Sequence, residues 1–287
     1  MTVTSTLSHG QLYMRLAQTN ICFARYEADD ASSFCFEPYR LKPQVSLIAN
    51  LREARRAAAI LQNQHSESLK ILVNAPATLV PLTEFQEEDC VAIYNHCFPS
   101  SVKRQVFYDV VAPANSVVIF ALEDAACRAF EDLYSKVYYV SSLTPLLHHF
   151  ASKGMTQVLQ KRVCVHCHEM LTDVMVFEGT RLLAVNTFET PEVADAVYYT
   201  LNMASQLGVN LGPPSDDNLP VFRQSDYVPF YVAGTPELRD AIADEMRRYA
   251  VNVLTMKPSA EFNRNIVATT PEVPYDLVTF LLDCQTF

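Results

Sequence analysis

The feature that most constrains this chain is an order of elements that occurs twice. In the second half, KRVCVHCHE, DVMVFEG and TRLLAVNTF read as three strands of a meander, the last two joined at Glu178-Gly179. TPEVADAVYYTLNMASQLG then reads as a helix with Thr190 as N-cap, Pro191 at the first helical position and Gly208 closing it. YVPFYVAG is a strand, TPELRDAIADEMRRYA a helix capped by Thr235 with Pro236 behind it, VNVLTM a strand, and VPYDLVTFLLDCQTF a closing helix. The first half opens the same way. LYMRLAQTNICFARY and SSFCFEPYR are strands broken at AQTN (17–20) and EADDA. SLIANLREARRAAAILQ places Leu47, Leu51, Ala54, Ala58 and Leu61 near helical period, and SLKILVNAPATLVP is an apolar strand. An added segment near 79–110 follows, then a hairpin around Pro113-Ala114-Asn115, the helix EDAACRAFEDLY, the strand KVYYVSS and the helix TPLLHHFASKG, closed by Gly154. A strand meander buries only one face by itself, so two such units imply two mixed sheets, each covered by helices. The expected units are residues 1–155 and 156–287, with the boundary near 153–157.

Composition narrows the function. The formal net charge is -10, which repels a phosphate backbone, so no nucleic-acid partner is expected. MTVTSTLSHG has neither a basic start nor an apolar core, and no run of about 18 apolar residues occurs anywhere, so no signal peptide and no membrane insertion are expected. The eight cysteines are scattered and mostly in apolar surroundings, as in SFCFE and NHCFP, which predicts reduced thiols and a cytoplasmic protein. Only six glycines occur. Phosphate-cradling loops need glycine so that backbone N–H groups can approach the oxygens. GxGxxG, GxxxxGK[ST], GxSxG and HExxH are all missing.

Cys164-Val165-His166-Cys167-His168 spells the Cys-x-x-Cys-His signature of haem attachment. On a strand, however, Cys164, His166 and His168 share one side while Val163, Val165 and Cys167 share the other. The two sulfurs then point apart and one haem cannot bridge them, so no cofactor is expected. The simplest role for these residues is a polar strand end facing the cleft between the halves. The alternative is a metal set of Cys164, His166 and His168, whose thiolate and imidazoles suit Zn²⁺ or copper.

The duplicated order, with VCVHCHEMLTDVMVFEGTRLLAVNTFETPEVADAVYYTLNMASQLGVN and VPFYVAGTPELRDAIADEMRRYAVNVL, resembles the actin-like ATPase superfamily of actin, sugar kinases and heat-shock ATPases. The similarity is greatest to its pilus-assembly and cell-division branch, and the whole chain resembles a bacterial family of unknown function with this fold. The resemblance implies an α/β fold of duplicated actin-like (ribonuclease H-like) domains, mixed sheets flanked by helices. In nucleotide-using members, the first strand of the second domain ends in an Asp-x-Gly turn that orders metal and phosphate. Aligned on Thr172-Asp173, that turn falls on His166-Cys167-His168-Glu169. His166 replaces the carboxylate, and His168 replaces the glycine. AQTN at 17–20 has neither Asp nor Gly, FETPEVAD lacks the double-glycine helix entry, and the adenosine turn is VAGTPEL, with Gly234 alone. Imidazole is a poor substitute for carboxylate toward Mg²⁺.

The resulting expectation is an uncharacterised cytoplasmic pseudo-ATPase without enzyme activity, whose partner is another protein. The alternative is a non-hydrolysing binder of a nucleotide or other small ligand in the interdomain cleft, walled by His166, His168, Thr172, Asp173, Gly234 and Thr235. No catalytic residue is assigned. His148-His149 reads as a pair at a helix C-terminus, and Asp109, Asp124 and Asp216-Asp217 as solvated carboxylates.

Overall fold

A computed structural model describes residues 11–62, 68–152, 160–211 and 227–284. In the first half, β1 (Gln11–Leu16), β2 (Asn20–Glu27) and β3 (Asp30–Arg40) form an antiparallel meander, followed by α1 (Leu47–Ala57), α2 (Ala59–Gln62) and β4 (Ser68–Val73). The chain then makes β5 (Ala77–Pro81), α3 (Cys90–Cys97), β6 (Arg104–Val111), β7 (Ser116–Glu123) and α4 (Asp124–Glu131), before β8 (Lys136–Ser141) and α5 (Leu143–Ser152). In the second half, β9 (Lys161–His168), β10 (Leu171–Glu178) and β11 (Arg181–Glu189) repeat the meander. They lead to α6 (Val193–Gln206), β12 (Phe230–Gly234), α7 (Pro236–Met246) and β13 (Val253–Thr255). The short helices α8 (Pro258–Glu261) and α9 (Ile266–Thr269) precede the closing helix α10 (Tyr275–Asp283).

The two halves build the same sheet. The orders are β3-β2-β1-β4-β8 and β11-β10-β9-β12-β13, each an antiparallel meander extended by two parallel strands. This is the mixed α/β architecture expected from the sequence. Between β4 and β8, β5, β7 and β6 form a separate antiparallel sheet. The hairpin of β6 and β7 turns through Asn115, whose φ of 48° is left-handed and suits asparagine.

Strand β9 is central and buried, with β10 antiparallel on one side and β12 parallel on the other, and its two faces differ: one carries Val163, Val165 and Cys167, the other Cys164, His166 and His168. Val163, Val165 and Cys167 pack with Ala196, Ile242 and Met246 from α6 and α7, whereas Cys164 packs with Met175, Phe177 and residues of α5. The two sulfurs therefore lie on opposite faces of the sheet.

Two helices cross between the halves. α5, from the first half of the sequence, packs on the second sheet through Leu143, Leu146 and Phe150. α10, from the end of the chain, packs on the first sheet through Leu277, Val278, Phe280 and Leu281 against Cys22, Ala24 and Leu72. The sequence boundary near 153–157 and Asp216-Asp217 lie outside the described residues, as does Gly154. Among the described residues, no helix is long and apolar enough to cross a membrane.

Three local expectations are corrected. Glu192, not Thr190, caps α6, in a capping box with Asp195; the Thr190 hydroxyl is held 2.8 Å from that of Thr172. His149 is no helix-end cap: it is buried, with Glu261 3.0 Å from Nε2 and Asp283 at Nδ1, and Tyr275 donates to the same Glu261. Asp109 is not solvated but buried, accepting hydrogen bonds from the Ser141 N–H and the Thr144 hydroxyl, because β6 packs against the start of α5.

Candidate functional site

The ends of β1 and β9 meet where the two sheets approach each other. Strand alternation sends His166 and His168 to one face of β9, and antiparallel register sets Asp173 of β10 opposite His166. Asp173 Oδ2 lies 3.0 Å from His166 Nδ1 and 3.0 Å from His168 Nε2, and the two rings stack with centroids 4.7 Å apart. The outer atoms are held as well. Thr187 donates to Asp173 Oδ1 at 2.7 Å, and the Asn74 amide, just past β4, is 3.0 Å from His168 Nδ1. All three central residues are buried rather than lining an open cleft.

Glu169 joins the halves. It sits in the turn between β9 and β10 at a φ of 50°, a left-handed conformation that costs a side chain about 1–2 kcal/mol. Its carboxylate accepts hydrogen bonds from the Gln18 N–H (3.2 Å), the Thr19 N–H (3.3 Å), the Thr19 hydroxyl (2.7 Å) and the Asn20 amide (2.6 Å). Four donors to one carboxylate outweigh that backbone strain. Behind this contact, Arg15 of β1 forms a buried ion pair with Asp276 at the start of α10, Nε to Oδ2 2.7 Å.

Electrostatics follow from burial and pairing. Burial alone would raise the carboxyl of Asp173, but the imidazoles of His168 and His166 override it and hold it well below the usual range. Burial pushes His166 down toward its neutral form. Burial would also raise Asp276, and the Arg15 guanidinium reverses this. The Cys164 thiol is pushed up to about 12 by burial, so it is protonated at neutral pH.

Of the residues singled out in the sequence, the structure brings together His166, His168 and Asp173, whose ligand atoms lie within 4.8 Å of one another. Cys164 does not join them and stays in the apolar layer under α5. Thr172 points to the opposite face of β10 and pairs with Thr190. Gly234 is buried against β9: a Cβ there would stand 2.2 Å from the Cys167 carbonyl oxygen, at a φ of 138°. Thr235 precedes α7, exposed, and its hydroxyl makes no capping bond. The sequence reading missed Glu169, Asn74, Thr187 and the Arg15–Asp276 pair. The last had a signal: Arg15 interrupts the apolar strand QLYMRL and Asp276 opens an apolar helix, and each needs a partner if buried.

A family model matches residues 2–215. The chain belongs to the DUF3822 family of proteins of unknown function. Among solved structures, this DUF3822 member is similar to a Bacteroides thetaiotaomicron protein with actin-like ATPase fold and unknown function. The identity is 20%, covering 94% of this chain and 99% of that one, with a TM-score of 0.75. It is also similar to a chain of the PilM–PilN type IV pilus biogenesis complex at 11% identity, covering 96% and 98%, with a TM-score of 0.57. No curated protein matches. The DUF3822 chain thus has the actin-like ATPase fold.

Proposed function

We propose that this chain is a pseudo-ATPase: an actin-like fold kept as an interaction module in the cytoplasm, hydrolysing no nucleotide and serving another protein as scaffold. One observation carries the reading. The Glu169 carboxylate takes the N–H donors of the 17–20 turn, so the two turns that would flank a phosphate are bonded to each other. A phosphate entering there would have to displace a carboxylate and would meet its negative charge. The residues present do not fit Mg²⁺–ATP: imidazoles stand at the metal-ordering position, and Gly234 is consumed by strand packing. PilM stands in a complex with PilN; by analogy of fold, a protein is the partner we assign here.

The test is a hydrolysis assay on the full chain with Mg²⁺ and ATP, run beside thermal melts with nucleotides. No phosphate release above background and an unchanged melting temperature are expected; turnover above background overturns the reading. A second reading, a non-hydrolysing binder of a small ligand, is favoured by a cavity of about 650 Å³ on the first-sheet side of the contact, lined by Thr19, Arg40, Lys42, Asn50 and Leu122 among others. A ligand of the native state raises its melting temperature, which separates the two.

A further inference from the structure

We propose that His166, His168 and Asp173 form a site for one divalent transition-metal ion of the zinc class, which staples β9 to β10 beneath the contact between the halves. The proposal goes beyond the interaction-module reading and does not depend on it.

The donor set supports this directly. Two imidazole nitrogens and one carboxylate oxygen converge, and none comes from a flexible loop: His166 and His168 sit two apart on β9, and Asp173 is the cross-strand partner of His166. Two nitrogens and one oxygen suit Zn²⁺, Co²⁺ or Ni²⁺ far better than Mg²⁺ or Ca²⁺. The spacing is close to what such an ion needs. A tetrahedral ion with bonds of about 2.0–2.1 Å holds neighbouring ligand atoms roughly 3.3 Å apart. Asp173 Oδ2 already lies 3.0 Å from each nitrogen and all three ligand atoms lie within 4.8 Å of one another, so an ion opens the two O–N spacings by a few tenths of an ångström and draws the two nitrogens together.

The outer contacts have the form that fixes metal ligands. Thr187 holds the second oxygen of Asp173, and Asn74 holds the outer nitrogen of His168. Such partners set the tautomer and the ring orientation of a ligating histidine. For each neutral ring to bind through its inward nitrogen, its proton moves to the outward one. At His168 the Asn74 amide, whose nitrogen faces Nδ1, turns over so that its oxygen accepts the Nδ1–H hydrogen bond, and no proton leaves the cluster. Three protein ligands leave one coordination position open. Cys164, on the same strand face, is outside the set, so thiolate ligation is not expected.

The experiment uses the full chain, stripped with a chelator and dialysed against ZnCl₂ or CoCl₂. Metal analysis should find roughly one ion per chain in the wild type and a loss of most of it in His168→Gln and Asp173→Asn, with His96→Gln, an exposed-helix control, unaffected. Zn²⁺ should raise the melting temperature of the stripped wild type and not that of His168→Gln. If the variants fail to fold, the Co²⁺ spectrum of the wild type decides: visible bands of tetrahedral nitrogen and oxygen ligation support the site, and a sulfur-to-cobalt charge-transfer band overturns it. Less than about a tenth of an ion per wild-type chain, or equal content in His168→Gln, shows the cluster to be a hydrogen-bonded His–Asp–His group only.

Discussion

Asp109 offers a test in which the sign of a pH effect is fixed by burial. It lies on β6, 9% exposed, and accepts hydrogen bonds from Ser141 N–H at 2.8 Å and Thr144 Oγ1 at 2.6 Å. Burial raises its carboxyl from an ordinary 3.8 to about 6, the two hydrogen bonds pulling it part of the way back. The folded chain therefore holds this proton more tightly than the unfolded chain does. Asp109's contribution to stability falls as pH rises from about 4 to about 6, and the full cost applies above that. That cost is on the order of 3 kcal/mol. Asp109→Asn keeps an oxygen for both donors and never ionises. It should stabilise the protein by up to about 3 kcal/mol at pH 7.5 and by only about 1 kcal/mol at pH 4.5. Urea denaturation of both proteins at the two pH values measures this. A variant less stable than the wild type at pH 7.5, or a gap that does not change with pH, would refute the reasoning.

Gly234→Ala should cost about 3–5 kcal/mol, because the new methyl meets the Cys167 carbonyl and the backbone angle is one that side chains avoid; an unshifted denaturation midpoint would contradict this. Arg15→Leu leaves Asp276 buried without its counter-ion at a cost of about 3–5 kcal/mol, and Arg15→Leu/Asp276→Leu should recover most of it; a double-mutant cycle with coupling below about 1 kcal/mol counts against the pair.

The sequence by itself determined the local elements and their repetition. Hydrophobic period and turn residues act over a few positions, so the meanders, the strands that follow them and the opposed faces of Cys164 and Cys167 were legible without coordinates. The stretch 79–110 stood out as an addition, yet β7 belongs to the same small sheet, because strand pairing across about 40 residues leaves no local mark. The candidate site divided along the same line. His166 and His168 share a face by alternation alone, and the resemblance placed Asp173 beside them. Cys164 shares that face too, and only the height at which β10 crosses β9 decides that Asp173 rather than the thiol completes the set. Tertiary structure alone decided the rest. Glu169 reaches a turn 150 residues away, and Arg15 finds a partner 261 residues away. α5 and α10 each pack on the sheet of the other half, since a helix buries its apolar stripe against the nearest uncovered sheet face, whatever its place in the chain.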